Sequence, residues 1–229
     1  MNLFYEPDLK HINYLNETES FHCKHTLRLK KNDITYITDG KGLIYRALLT
    51  NVNPTRCEFK TIDKSKKNKP KHAVHIAISP PKNIKRMEWF VEKSTELGIS
   101  TISPIICKHS ERKKLNIDRL TKISIAAMKQ SKQAYLPLIK QIIPFTEFLT
   151  LNSCDACFIA YQDKMNKHLL FTVPKAQSIT ILIGPEGDFN RDEIEQAINA
   201  NYQPVSLGKN VLRTETAGIL ACHTINLIN

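Results

Sequence analysis

From residue 72 onward, short apolar runs alternate with amphipathic stretches, and this rhythm limits the possible folds more than any other feature. Residues 72–79 form an apolar run of strand length. The spacing over 82–97 predicts a helix with Ile84, Met87, Phe90, Val91 and Leu97 on one face and Gly98 as its stop. Strands are expected at 99–107, 138–142, 156–161, 179–183 and 204–207, and helices at 117–132, 190–199 and 214–228. Strands separated by helices imply an α/β fold whose parallel sheet is covered on both faces.

The first 63 residues have a different pattern. Alternation at 34–38 meets the turn signal Asp39-Gly40-Lys41-Gly42, and strands are expected at 43–52 and 56–62, with a helix at 18–29. This segment is read as a small β-barrel. Residues 64–71 hold five lysines, one proline and no apolar side chain, the mark of a solvated hairpin tip or an interdomain linker. The expected organisation is therefore a small domain over 1–70 and a larger one over 71–229.

Charge divides the chain as well. Residues 1–71 carry 14 basic and 8 acidic side chains, residues 72–140 carry 13 and 5, and residues 141–229 carry 6 and 9. The net charge of +11 thus comes from the first 140 residues, where a polyanion such as RNA would be held. Arg28, Lys30, Lys31 and the run Arg112-Lys113-Lys114 are the candidate RNA contacts. No apolar run approaches the ~18 residues of a membrane span, and the N-terminus lacks the pattern of a signal peptide, so a cytoplasmic protein is expected. Six scattered cysteines then imply reduced thiols. Cys154 and Cys157 have no second pair to complete a zinc site, and a strand follows them where a redox motif wants a helix. No metal is expected.

Only seven glycines occur, and three of them lie in two loops that each follow an expected strand. Glycine is needed where backbone turns with positive φ or approaches a ligand closely, and ligands bind beyond the carboxyl ends of parallel strands. The first loop is Ile183-Gly184-Pro185-Glu186-Gly187-Asp188-Phe189. It lacks a Gly-Lys-Ser/Thr ending, and Glu186, Asp188, Asp192 and Glu193 crowd the following helix start, so a phosphate would be repelled. Such a loop is either a plain strand-to-helix turn or a seat for a neutral or cationic ligand; the sulfonium of S-adenosylmethionine fits. The second loop runs Ser206-Leu207-Gly208-Lys209-Asn210-Val211-Leu212-Arg213-Thr214-Glu215-Thr216-Ala217. Val211 and Leu212 suit a pocket wall. Arg213 suits a carboxylate, an RNA phosphate or a structural ion pair.

Together these strings resemble the SPOUT class of knotted methyltransferases, and within it the RsmE family of 16S ribosomal RNA uridine-N3 methyltransferases. The likeness lies in Ile183-Gly184-Pro185-Glu186-Gly187 followed by Leu207-Gly208 and Val211-Leu212-Arg213-Thr214-Glu215-Thr216-Ala217. Glu92-Lys93 with Glu96-Leu97-Gly98, Gln130-Ser131 before Pro137, and Leu27-Arg28 agree in order along the chain. Four positions depart from the family pattern: Asp188 replaces a second glycine, Lys209-Asn210 replaces Pro-Arg, and Gln133 replaces an arginine after Gln-Ser.

The resemblance implies a PUA-like N-terminal barrel, a C-terminal trefoil knot and a homodimer acting on 16S rRNA or the small ribosomal subunit. Its cofactor, S-adenosylmethionine, would be held by Ile183, Gly184, Pro185, Glu186, Gly187, Leu207, Gly208, Val211, Leu212 and Thr214. The N3 proton of uridine must leave before or during attack, which makes Glu215 a candidate base and Arg213 a candidate stabiliser of the anion. A related enzyme acting on another RNA, or a ribosome assembly factor without catalysis, are the alternatives.

Overall fold

The computed structural model describes residues 2–161 and 169–228. Two compact units divide the chain. One comprises Met1–Lys69 with Ile125–Leu136, and the other Pro70–Ser124 with Pro137–Asn229.

The first unit holds a four-stranded sheet in the order β1 (Leu3–Tyr5), β2 (Ile34–Thr38), β3 (Leu43–Asn51), β4 (Glu58–Lys66). β1 runs parallel to β2, and the other pairs are antiparallel. Alternate residues face inward, so Phe4, Ile37, Tyr45, Ala47, Leu49 and Phe59 form its core. The expected helix is present in two parts, α1 (Glu17–Phe21) and a π-helical turn over His22–Thr26. β4 is longer than its apolar pattern indicated. It continues to Lys66, which pairs with Leu43, so part of the lysine run is strand and not linker. Hydrogen bonding to β3 holds it there, and the polar side chains are tolerated because they are exposed. Lys129 reaches the buried Glu19 at 2.6 Å, tying the inserted segment into this unit.

The second unit is the expected α/β sandwich. Its strands are β5 (Ala73–Ile78), β6 (Thr101–Ile106), β7 (Leu138–Ile139), β8 (Ile143–Pro144), β9 (Ala156–Ala160), β10 (Ser178–Ile183) and β11 (Gln203–Val205). They are ordered β11-β9-β10-β5-β6-β7, with β8 also beside β6, and every pair is parallel. The helices are α2 (Ile84–Glu96), the part of α3 (Ile117–Gln130) that ends at Ser124, α4 (Phe145–Leu151), α5 (Arg191–Asn199) and α6 (Thr214–Ile228). The period of two sorts side chains onto two cores. Ile76, Ile78, Phe158, Ile181 and Ile183 lie in one core with Met87, Phe90 and Ile225; Ala77, Ile159 and Leu182 lie in the other with Phe145, Phe148 and Phe189.

α2 and α6 pack closely enough that glycine is required at their contact. A Cβ on Gly218 would lie 2.6 Å from Phe90 Cε2 and 3.2 Å from Ile78 Cδ1. α4 was not anticipated, because Pro144 and a seven-residue length hide its period. Cys154 and Cys157 are joined as a disulfide at the entry to β9, which departs from the expectation of reduced thiols throughout. Their Cα atoms are 6.1 Å apart, within reach of a bridge, while Cys23, Cys57, Cys107 and Cys222 are free and buried. No helix among the described residues is long and apolar enough to cross a membrane.

Candidate active site

β9, β10 and β11 lie side by side, and their carboxyl ends open onto one cavity of about 300 Å3. Both glycine loops line it. From the first come Ile183, Gly184, Pro185, Glu186 and Asp188; from the second come Leu207, Asn210, Val211, Leu212, Arg213 and Thr214. The end of β9 adds Ala160 and Tyr161, the end of β11 adds Ser206, and α6 adds Ala217.

The first loop is fixed from several sides. The Asp188 amide donates to the Pro185 carbonyl at 2.9 Å, closing a turn that places Asp188 at φ 59°. Its own carboxylate accepts the Phe189 amide at 2.8 Å, a local bond that favours this left-handed conformation. Glu186 accepts the Lys82 amide at 3.0 Å. His109 Nδ1 lies 3.1 Å from the carbonyls of both Gly187 and Asp188, and with two carbonyl partners that nitrogen is the donor. The next helix begins with a full capping box between Asn190 and Glu193. Glu193 also accepts the Lys108 amide at 2.7 Å. The positive end of α5 is thus occupied by the protein's own carboxylates, as the sequence implied.

The second loop turns at Gly208, whose φ of 135° few other residues adopt. Ser206 braces it, its hydroxyl accepting the Gly208 amide at 3.2 Å and lying 3.1 Å from the Gly208 carbonyl. Thr214 then joins the two loops by donating its hydroxyl to the Gly184 carbonyl at 3.0 Å. Val211 is 84% exposed, an apolar side chain left open at the cavity wall.

Eight of the ten residues expected around the cofactor line the cavity; Gly187 and Gly208 shape its loops from outside that lining. Asp188, Ser206, Asn210 and Ala217 belong to the two expected loops but not to the expected cofactor contacts, and Ala160 and Tyr161 lie outside both loops. Of the two candidate catalytic residues, Arg213 stands exposed at the rim. Glu215 is not part of the lining. Its side chain is 6% exposed and Oε1 lies 3.6 Å from Arg86 Nε, while Oε2 is buried without a hydrogen-bond partner among the described residues.

The basic candidates fall into different settings. Arg28, Lys30 and Lys31 are exposed on the first unit, with Arg28 at φ 54°. Lys113 and Lys114 are exposed on the second. Arg112 is engaged, its Nη2 donating to the Lys82 carbonyl at 2.6 Å and its Nε lying 3.2 Å from the Pro81 carbonyl. Among the described residues no group of three or more His, Cys, Asp or Glu side chains is placed to hold a metal.

One titratable group sits inside the sheet. Burial, aided by Lys140, pushes His75 down to about 4, against a weaker opposing hydrogen bond from Asn152. Its ring nitrogens lie 2.7 Å from the Ser103 hydroxyl and 3.3 Å from the Thr180 hydroxyl.

The RNA methyltransferase domain family matches residues 67–226. The chain is 31% identical to ribosomal RNA small subunit methyltransferase E of Rickettsia conorii, over 90% of this chain and 86% of that one. Identity to the protein of that name from Bacillus subtilis is 27%, over 91% and 87%. Among solved structures, a probable rRNA-methyltransferase from Porphyromonas gingivalis superposes with a TM-score of 0.92 at 36% identity, covering 100% of this chain and 98% of that one. A ribosomal RNA small subunit methyltransferase E from Neisseria gonorrhoeae, bound to S-adenosyl methionine, gives 0.89 at 28% identity, covering 97% and 95%.

Proposed function

Because the chain belongs to the RsmE family of RNA methyltransferases, we propose that it transfers a methyl group from S-adenosylmethionine to N3 of a uridine in 16S rRNA of the small ribosomal subunit. The observation that carries this reading is the single cavity formed by both glycine loops and closed by the Thr214–Gly184 bond. Its residues fit the cofactor. Main chain at Gly184 and Leu207 offers hydrogen-bonding groups, Pro185, Leu212 and Ala217 offer apolar wall, and Glu186 and Asp188 bring negative charge toward a cationic ligand.

When bound, S-adenosylmethionine supplies an electrophilic methyl group. The chain's own part is to hold the reactants in line and to favour the ionised base. Arg213, at the rim, stabilises the negative charge that develops on the uracil ring as its N3 proton leaves. Glu215, facing Arg86, is assigned to positioning the start of α6 that carries Thr214, and the proton passes to solvent.

The finer architecture belongs to the same reading. A PUA-like barrel over the first 70 residues is supported by Tyr14, which bridges to Glu58 on the outer edge of β4. A trefoil knot over the C-terminal part is supported by β10, which inserts between β9 and β5, and by α6 packing back against β5 and α2. Homodimerisation is supported by Trp89 on α2 and Leu227 on α6, 45% and 71% exposed on neighbouring helices. The cytoplasm, where ribosomes are assembled, is the compartment that this substrate requires.

Calorimetry with S-adenosylmethionine and S-adenosylhomocysteine tests the cofactor. Methyl incorporation into small subunits lacking the modification, mapped by mass, tests the substrate. Absence of binding to both ligands overturns the reading.

A further inference from the structure

A second concavity, of about 730 Å3, lies on the N-terminal unit, and none of the residues named so far as RNA contacts lines it. Four lysines line it: Lys41 from the turn after β2, Lys66 from the end of β4, and Lys67 and Lys69 from the segment that follows. Gly40, Asn68 and Tyr135 complete the wall, and no carboxylate among the described residues lines it. None of the four lysines makes a salt bridge among the described residues, whereas Lys82, Lys93 and Lys129 all do. Asp39, the nearest acid in sequence, is buried and turned to the backbone, accepting the amides of Lys41 at 2.7 Å and Leu43 at 3.0 Å.

The lysines are held by fixed main chain. The Lys67 amide donates to the Gly42 carbonyl at 2.8 Å, and the Tyr135 hydroxyl donates to the Lys67 carbonyl at 2.9 Å. The Gly42 amide donates to Ala134 at 2.9 Å. Gly42 has φ 103°, and a Cβ there would lie 2.6 Å from Tyr135 Cζ, so this close seating of the ring requires glycine. Four like charges gathered around one hollow repel each other unless an anion enters. Their spread around an open hollow suits successive phosphates of a chain better than one small anion. The amide of Asn68 and the ring of Tyr135 are groups that hydrogen-bond or stack with an unpaired base.

We propose that Lys41, Lys66, Lys67, Lys69 and Tyr135 form a docking site for a single-stranded stretch of RNA, through which the N-terminal unit holds its ribosomal substrate. This rests on the methyltransferase reading for the identity of the RNA, and on the concavity for its place.

The test measures binding of the full-length protein to a fluorescein-labelled 12-nucleotide single-stranded RNA between 50 and 300 mM KCl. The Lys66→Gln/Lys67→Gln/Lys69→Gln variant is compared with wild type. Removing three phosphate contacts lowers the slope of log affinity against log salt by about 2, and weakens binding roughly tenfold or more at 0.1 M salt. S-adenosylmethionine affinity, measured by calorimetry, stays unchanged and reports that the second unit is folded, and an unchanged thermal melt by circular dichroism reports the same for the first. An unchanged salt slope overturns the site, as does wild type failing to bind the RNA. Failure of wild type to bind S-adenosylmethionine or to methylate small subunits overturns the functional reading instead, and leaves the lysine site to be judged by the slope alone.

Discussion

Thr214 and Gly184, thirty residues apart, are joined by a hydrogen bond of 3.0 Å from the threonine hydroxyl to the glycine carbonyl. Both residues are buried, and each belongs to a different loop of the cavity. The bond makes one wall of what would otherwise be two independent turns. Thr214→Val removes the donor and strands a buried carbonyl, at a cost of about 1–2 kcal/mol. S-adenosylmethionine affinity measured by calorimetry falls roughly tenfold, while Thr214→Ser retains most of it.

Arg213 and Glu215 are two residues apart, yet only Arg213 lines the cavity. Arg213→Ala lowers kcat about 100-fold or more in a methyl-incorporation assay and leaves cofactor affinity nearly unchanged. Glu215→Gln breaks the pair with Arg86, which is 36% exposed, and costs about 1–2 kcal/mol in denaturant unfolding. The pH–rate profile of Glu215→Gln keeps the wild-type shape. Loss of its acidic limb would return Glu215 to the role of base.

The seating of α6 on α2 tolerates no added methyl group. Gly218→Ala drives a Cβ into the buried ring of Phe90 and destabilises the protein by ~1–3 kcal/mol. Thermal unfolding shifts down by several degrees, and Phe90→Leu in the same chain recovers part of the loss.

His75 makes stability depend on pH. Its imidazole titrates near 6.5 when free and is held to about 4 in the fold, chiefly by burial. Between these values the unfolded chain binds more protons than the folded one. Stability therefore falls as pH drops from 6.5 to about 4, by ~3 kcal/mol, and this contribution levels off below 4. Urea unfolding at half-unit pH steps measures it, and His75→Gln removes this part of the slope.

Residue pattern identified the layers of the second unit, because an apolar period of two or of 3.6 reports which side of an element meets the core. Scarce glycine after strands identified both loops, because each loop turns where a side chain would be strained or crowded. Ala160 and Tyr161 escaped notice because their place in the cavity depends on β9 lying beside β10, and periodicity carries no information about neighbour order. Asp188 was seen as a departure from a second glycine, yet it adopts φ 59° and keeps the turn through its own carboxylate. The lysine run concealed the end of β4 because its hydrogen bonds to β3 do not depend on side-chain polarity.

The N-terminal unit is not a continuous piece of chain. Ile125–Leu136 belongs to it although more than fifty residues separate that segment from Lys69. Thr38, Gly40 and Gly42 bond to Ala134 or Leu136, and Glu19 closes on Lys129. A gene fragment ending at codon 70 would therefore encode an incomplete body, deprived of the partners of its second strand and first helix. Dissection of the two activities, cofactor binding and RNA binding, has to be done by point substitution in the intact polypeptide, since no single cut separates them.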